Sequence, residues 1–274
     1  MVKKIASRVY MGLIFLFLYL PILVLIVLSF NNSKSKVKWG GFTLDWYIKC
    51  FQSERIMSAF STTLQITLLA AVISTIIGTL AAMGISAMKK RNQTIYLGAT
   101  NIPMLNADIV TGISMMLLFV FAGTLLGRKD VLGFDTILIA HITFQLPYVI
   151  LSVLPKLRQT DMRIYEAAQD LGCHPFKAFM KVVFPAILPG IVAGAIMAFT
   201  LSLDDFIISY FTNGPDFQTL PIHIFSMTKK RVKPDMYALS TLIFAAIFIL
   251  LLLMNWAQSK SDKKQRSKKE DKYE

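Results

Sequence analysis

The chain has 274 residues, 55% of them hydrophobic and only 16% charged, with a mean hydropathy of +0.57. Twenty Phe and 14 Met with so few charges cannot be hidden inside a water-soluble globule of this size, since an ordinary soluble domain carries about 25% charged residues. A soluble enzyme and a disordered chain are excluded. The net charge of +13 invites a nucleic-acid reading, which the placement of the charges removes.

Six stretches contain no Lys or Arg: 9–30, 57–88, 95–127, 133–154, 185–211 and 236–257. Each is 22 residues or longer, and a helix needs roughly 20 apolar residues to cross a bilayer core about 30 Å thick. The expected fold class is therefore an all-α integral membrane protein with six transmembrane helices. Residues 1–8 are expected to form a cytoplasmic N-terminus, 9–257 a six-span membrane domain, and 258–274 a basic, disordered cytoplasmic tail. The first stretch follows Lys3, Lys4 and Arg8. It exceeds a signal peptide's apolar core of about 7–15 residues and reads as a retained anchor.

The second and third stretches, at 32 and 33 residues, are longer than one crossing requires. They predict interfacial turns or a tilted, broken helix. The third contains Asp108. The fourth carries a stripe of His141, Gln145 and Tyr148, which Pro147 should kink. A lone intramembrane histidine reads first as a hydrogen-bonded packing residue.

The loop 155–184 follows. Thr160-Asp161 predicts a helix start, Arg163 to Leu171 a helix, and Gly172 its stop. His174-Pro175 opens a second short helix carrying Phe176, Phe179 and Met180, which Pro185 ends. Exposed aromatics there fit a docking knob for a partner or an interfacial helix on lipid headgroups.

The fifth stretch has a face. Gly190, Gly194, Ala198 and Ser202 step by four, and Asp205, Ser209 and Thr212 continue the stripe, so one helix would bring all to one side. The small residues permit close packing, and the polar ones suggest water or substrate. An intramembrane acid costs about 2.5–3.5 kcal/mol on insertion scales, so Asp108 and the pair Asp204-Asp205 need a reason. No Lys or Arg lies within any span to balance them. They are neutral, pair with another subunit, meet a passing cation, or are buried and hydrogen-bonded locally. His174 and His223 fall in loops and carry no motif.

Basic residues set the orientation. With the N-terminus inside, the inner segments hold 18 Lys+Arg and the outer ones 11, placing both termini in the cytoplasm. The outer cations are led by Lys34, Lys36 and Lys38 and by Lys229, Lys230, Arg231 and Lys233. The tail 258–274 carries seven basic residues beside a span. Anionic membrane lipid is its expected partner rather than nucleic acid.

Enzyme signatures are missing: the chain has no G-x-x-x-x-G-K-[ST], H-E-x-x-H or G-x-S-x-G. No catalytic residues or metal ligands are assigned. The two cysteines, Cys50 and Cys173, support neither a disulfide framework nor a zinc site. Any ATP-driven transport must draw its ATP hydrolysis from another subunit.

The run Glu166-Ala167-Ala168, Gly172, then Val182-Val183-Phe184-Pro185 resembles the EAA loop of ABC importer permeases, EAA-x3-G-x9-I-x-L-P. Val182 stands for Ile and Phe184 for Leu. The five fixed positions match by chance about once in a million starts. The resemblance, over roughly 57–257, implies the type I importer fold. Two six-span permease subunits pair, and each inserts its EAA loop into one of two copies of a cytoplasmic ATPase subunit, which uses ATP and magnesium. An extracytoplasmic substrate-binding protein delivers substrate, and the complex sits in the bacterial plasma (inner) membrane. The coupling residues are then Glu166, Ala167, Ala168, Gly172, Phe176 and Phe179, and no cofactor is expected in this chain.

Several runs narrow the resemblance to the second permease subunit of spermidine/putrescine importers. They are Ser29-Phe30-Asn31, Gly41-Phe42-Thr43-Leu44 with Trp46-Tyr47, Ala107 to Ser114, Phe199 to Asp205, and Leu220 to Ile224. Permeases for other solutes, including phosphonates, share parts of them. Polyamines suit the residues, because flexible chains of ammonium groups fit carboxylates and aromatics without competing cations. The expected substrate path is Asp108, Asp204 and Asp205, with Tyr148 and Tyr210 as aromatic walls. A proton- or sodium-coupled carrier using the aspartates is the alternative mechanism. Against it, no repeat relates residues 9–127 to 133–257. A membrane-embedded enzyme has no nucleophile–base or metal constellation to support it.

Overall fold

The computed structural model describes residues 2–33, 38–128, 130–215, 217–229, 234–249 and 252. The basic tail expected at 258–274, and the outer-loop cations Lys34, Lys36, Lys230, Arg231 and Lys233, lie outside the described residues. In chain order the helices are α1 (Val2–Ser29), α2 (Asp45–Gln52), α3 (Glu54–Ala87), α4 (Lys90–Leu105), α5 (Asp108–Leu125), α6 (Phe134–Gln159), α7 (Met162–Asp170) and α8 (Pro175–Ala178). A π-helical turn, Phe179–Val183, leads into α9 (Phe184–Leu203), followed by α10 (Ile207–Thr212), α11 (Leu220–Lys229) and α12 (Pro234–Ile249). No strand occurs among the described residues, only one isolated bridge between Asn31 and Phe42.

Among the described residues, five helices are long and apolar enough to cross a membrane: Ser7–Ser29, Glu54–Ala87, Asp108–Leu125, Phe134–Gln159 and Pro175–Leu203. The shorter apolar α12 coincides with the start of the sixth expected span. The all-helical multi-pass fold follows from the long stretches without Lys or Arg, because hydrocarbon leaves backbone amides no partner except their own helix.

The described residues fall into two compact units. The first combines Met1–Ser58 with His223–Leu250. Its loop after α1 is organised by Asn31. The Asn31 Nδ2 donates to the Lys38 carbonyl at 2.9 Å, and its Oδ1 accepts from the Gly40 amide at 2.8 Å. The Trp46 indole donates to the Asn31 carbonyl at 2.9 Å, and the Phe30 and Phe42 rings stack at 5.1 Å. Two separate runs, Ser29-Phe30-Asn31 and Gly41 to Tyr47, thus close on each other as one clasp. His223, expected in a loop, lies in α11.

The second unit is built on Ala59–Ile222. Its centre is α6, which packs on α9, α10, α4 and α5. Val149 and Val153 of α6 and Ile187 of α9 are fully buried between them. The expected small-residue seam is present, with Gly190, Gly194, Ala198 and Ser202 all buried on α9. A Cβ on Gly190 would stand 2.9 Å from the Ser152 carbonyl oxygen, so only glycine lets the two backbones approach this closely.

The third stretch is broken, as its length predicts: 95–127 is two helices, α4 and α5, separated where Asn106 and Ala107 are extended. The second shows no such break, since α3 runs from Glu54 to Ala87. Pro103 weakens the end of α4 by removing a donor. Asp108 therefore sits in the first turn of α5, at the end of that span rather than in its interior, and the free amides of a first turn favour an acid.

The stripe of the fifth stretch is likewise not one helix, since α9 stops at Leu203 and α10 begins at Ile207. Finally, Pro185 does not end the short helix opened by Pro175. The π-turn at Phe179–Val183 widens the helix, which runs through to Leu203. A wider turn accommodates a proline that lacks the donor and crowds the preceding turn.

Candidate substrate path and coupling loop

The break between α9 and α10 brings three elements together. Asp204 ends α9 with φ −103° and ψ 3°. Asp205 turns its carboxylate onto α10, accepting from the Ile208 amide at 3.3 Å and the Ser209 amide at 2.7 Å. From α6, His141 reaches across the gap. Its Nδ1 is 2.7 Å from Ser202 Oγ on α9, and its Nε2 is 2.9 Å from Ser209 Oγ on α10. The same Nε2 is 3.4 Å from Asp205 Oδ2. The ring is 3% exposed and the Asp205 side chain 10%.

The local packing expectation for His141 is met. Its partners were not legible, because they lie 61 and 68 residues away. Further along α6, Thr136 Oγ1 donates to the Thr212 carbonyl at 2.9 Å, and Gln145 Oε1 accepts from Ser74 Oγ of α3 at 2.9 Å. The polar stripe of α6 thus buries its residues against three different helices.

The candidate path residues divide. Asp108 and Asp204 are exposed, whereas Asp205 is engaged within the chain. Tyr148 is half-buried, packs on the Phe144 ring at 5.7 Å, and lies within electrostatic reach of Asp108. Tyr210 is 46% exposed and meets the Phe206 and Phe211 rings, each at 5.5 Å. Helix α10 packs on α5, where Gly112 faces Phe211 one turn beyond Asp108. The third and fifth stretches are therefore neighbours.

The loop after α6 follows its sequence signals closely. Asp161 Oδ1 accepts from the Arg163 amide at 3.0 Å and opens α7. Gly172 ends it at φ +81°, with its own amide donating to Gln169 O at 2.8 Å and that of Cys173 to Ala168 O at 3.1 Å. This pair of bonds is the Schellman closure of a helix, which calls for glycine at the left-handed position. His174 Nδ1 then accepts from the Phe176 amide at 3.3 Å to open α8.

Glu166, Ala167 and Gly172 are exposed and Ala168 is half-buried. Phe176 is 68% exposed and Leu171 90%, while Phe179 packs with Tyr165 on the core. The two phenylalanines expected to act alike are thus one outward and one inward.

Residues 74–267 match the family described as the binding-protein-dependent transport system inner membrane component. The chain belongs to that family. It is therefore a multi-pass inner-membrane permease subunit of an ATP-driven importer that works with a substrate-binding protein. It is a transporter subunit rather than an enzyme, and ATP hydrolysis lies in a separate subunit. A carrier working alone is set aside.

This permease is 34% identical over 252 residues to the spermidine/putrescine transport system permease protein PotC of Escherichia coli, covering 92% of this chain and 93% of that one. It is 37% identical over 236 residues to the putrescine transport system permease protein PotI of Escherichia coli, covering 86% and 84%. Its fold is similar to that of a bacterial ABC transporter involved in the import of the acidic polysaccharide alginate, with TM-score 0.73 and 16% identity. That match covers 95% of this permease and 96% of the other chain.

Proposed function

We propose that this permease moves polyamines of the spermidine/putrescine class inward, as one of two permease subunits above two copies of an ATPase subunit that uses ATP and magnesium. The carrying observation is its likeness, over nine-tenths of its length, to a permease named for spermidine and putrescine. The site chemistry supports it. Asp108 and Asp204 offer exposed carboxylates, Tyr148 and Tyr210 offer ring faces, and the six apolar stretches hold no Lys or Arg to repel an ammonium group. A phosphonate would call for the opposite sign.

Both termini are cytoplasmic in this reading, which places α7 and α8 inside, where Glu166, Ala167, Ala168, Gly172 and Phe176 meet the ATPase subunit. Phe179 supports that surface from behind. The external binding protein releases substrate to the opposite face.

The test is co-purification with the neighbouring permease, ATPase and binding protein, followed by ATPase measurement in proteoliposomes. Spermidine or putrescine with the binding protein should stimulate hydrolysis, and a phosphonate should not. Stimulation by the phosphonate alone would overturn the polyamine assignment.

A further inference from the structure

The Asp204-Asp205 doublet presents two carboxylates side by side, and the surrounding bonds treat them differently. Asp205 already holds two amides of α10, and the His141 Nε2 lies 3.4 Å from the same carboxylate. Facing a carboxylate, Nε2 carries a proton, and the Ser209 hydroxyl oxygen accepts from it. In the neutral ring Nδ1 then accepts from the Ser202 hydroxyl. One cluster results, of Ser202, His141, Ser209 and Asp205, and each member has a partner inside the protein. Asp204, one residue earlier, is exposed and takes no part in it.

The two serines of this cluster lie on opposite sides of the helix break. Ser202 is in the last turn of α9 and Ser209 in the first turns of α10. The His141 ring, carried by a third helix, hydrogen-bonds to both across the break. Without it, the two half-helices keep the covalent link through Asp204, Asp205 and Phe206, but the angle between them loses the tie at the break itself.

We infer that His141 is a positioning residue for transport: by bridging Ser202 and Ser209 it fixes the break in the fifth span, commits Asp205 to α10, and leaves Asp204 as the carboxylate presented to a passing ammonium group. The inference rests on the polyamine reading and assigns unequal roles to the two adjacent acids.

The test is a double-mutant cycle in the complete transporter, with spermidine uptake into proteoliposomes normalised to assembled complex. Asp204→Asn removes a charge-assisted contact and should slow uptake roughly ten- to a hundredfold. His141→Leu should slow it to a similar extent by displacing the same carboxylate. Because both act through one contact, His141→Leu in the Asp204→Asn background should cost little more than Asp204→Asn alone. His141→Gln keeps a donor toward Ser209 and should recover most of the loss.

Losses that multiply in the double variant would overturn the inference, as would normal uptake by His141→Leu. Should His141→Leu fail to assemble, Ser209→Ala removes the hydrogen bond between the ring and α10 and must show the same non-additivity. A wild-type complex that imports no polyamine would instead defeat the polyamine reading. A wild-type complex that imports polyamine while the losses multiply would defeat only the role given to His141.

Discussion

Phe176 and Phe179 stand three residues apart and face opposite ways: Phe176 is 68% exposed, while Phe179 packs on the core formed by α6 and α9. The first is free to fill a pocket on a partner, and the second fixes the loop that presents it. Replacing each by alanine should therefore fail differently. Phe176→Ala should assemble normally and lower ATP-coupled uptake. Phe179→Ala should lower the yield of folded permease, by on the order of 2 kcal/mol for a half-buried ring. Uptake and detergent-extracted yield, measured side by side, separate the two.

Gly172 has φ +81° at the end of α7. A β-branched residue is strained there, costing at least about 1–2 kcal/mol, and would reopen the turn that holds α7 against α8. Gly172→Val should insert into the membrane in normal amount and fail to transport. Normal uptake by that variant would contradict the coupling role of the loop.

The orientation can be read with single cysteines. Gln265→Cys should react with an impermeant maleimide only from the cytoplasm, and Gln218→Cys only from outside. The opposite pattern would overturn the placement of both termini. Native Cys173 must be replaced first, because it is half-buried. Cys50 can remain. Burial, with the nearby Asp235 charge, pushes its thiol up to about 11, so near neutral pH it stays protonated and unreactive. Its labelling should appear only as the pH approaches that value.

The outer segments carry 11 basic and five acidic residues. A binding protein that docks there should present acidic surface, and salt should weaken the complex, since screening acts over about 8–10 Å at physiological ionic strength. Docking affinity unchanged between low and high salt would remove that role from Lys38 and Lys229.

The membrane class, the long stretches without Lys or Arg and the turn chemistry of the coupling loop were legible because each depends on local signals. Length without a basic residue marks a span, Asp161 starts α7, and Gly172 stops it. The breaks were harder. Hydropathy does not register where a backbone leaves the helix: the length of 95–127 calls for a break without placing it at Asn106-Ala107, and Asp204-Asp205 read as interior positions. The tie between His141 and the two serines depends on α6 and α9 packing together, which residue spacing within either stretch cannot reveal. The same long-range tie divides Asp205 from Asp204, two residues that are chemically identical in sequence.

The central claim is that cations cross this permease past its own exposed carboxylates. The most direct measurement is spermidine uptake by the Asp108→Asn, Asp204→Asn double variant, normalised to assembled complex and with the binding protein saturated. The substitutions keep shape and remove charge, and each lost contact should slow uptake roughly ten- to a hundredfold. The account predicts full assembly with uptake reduced by at least the smaller of those factors. Full assembly with uptake at the normal rate would contradict it.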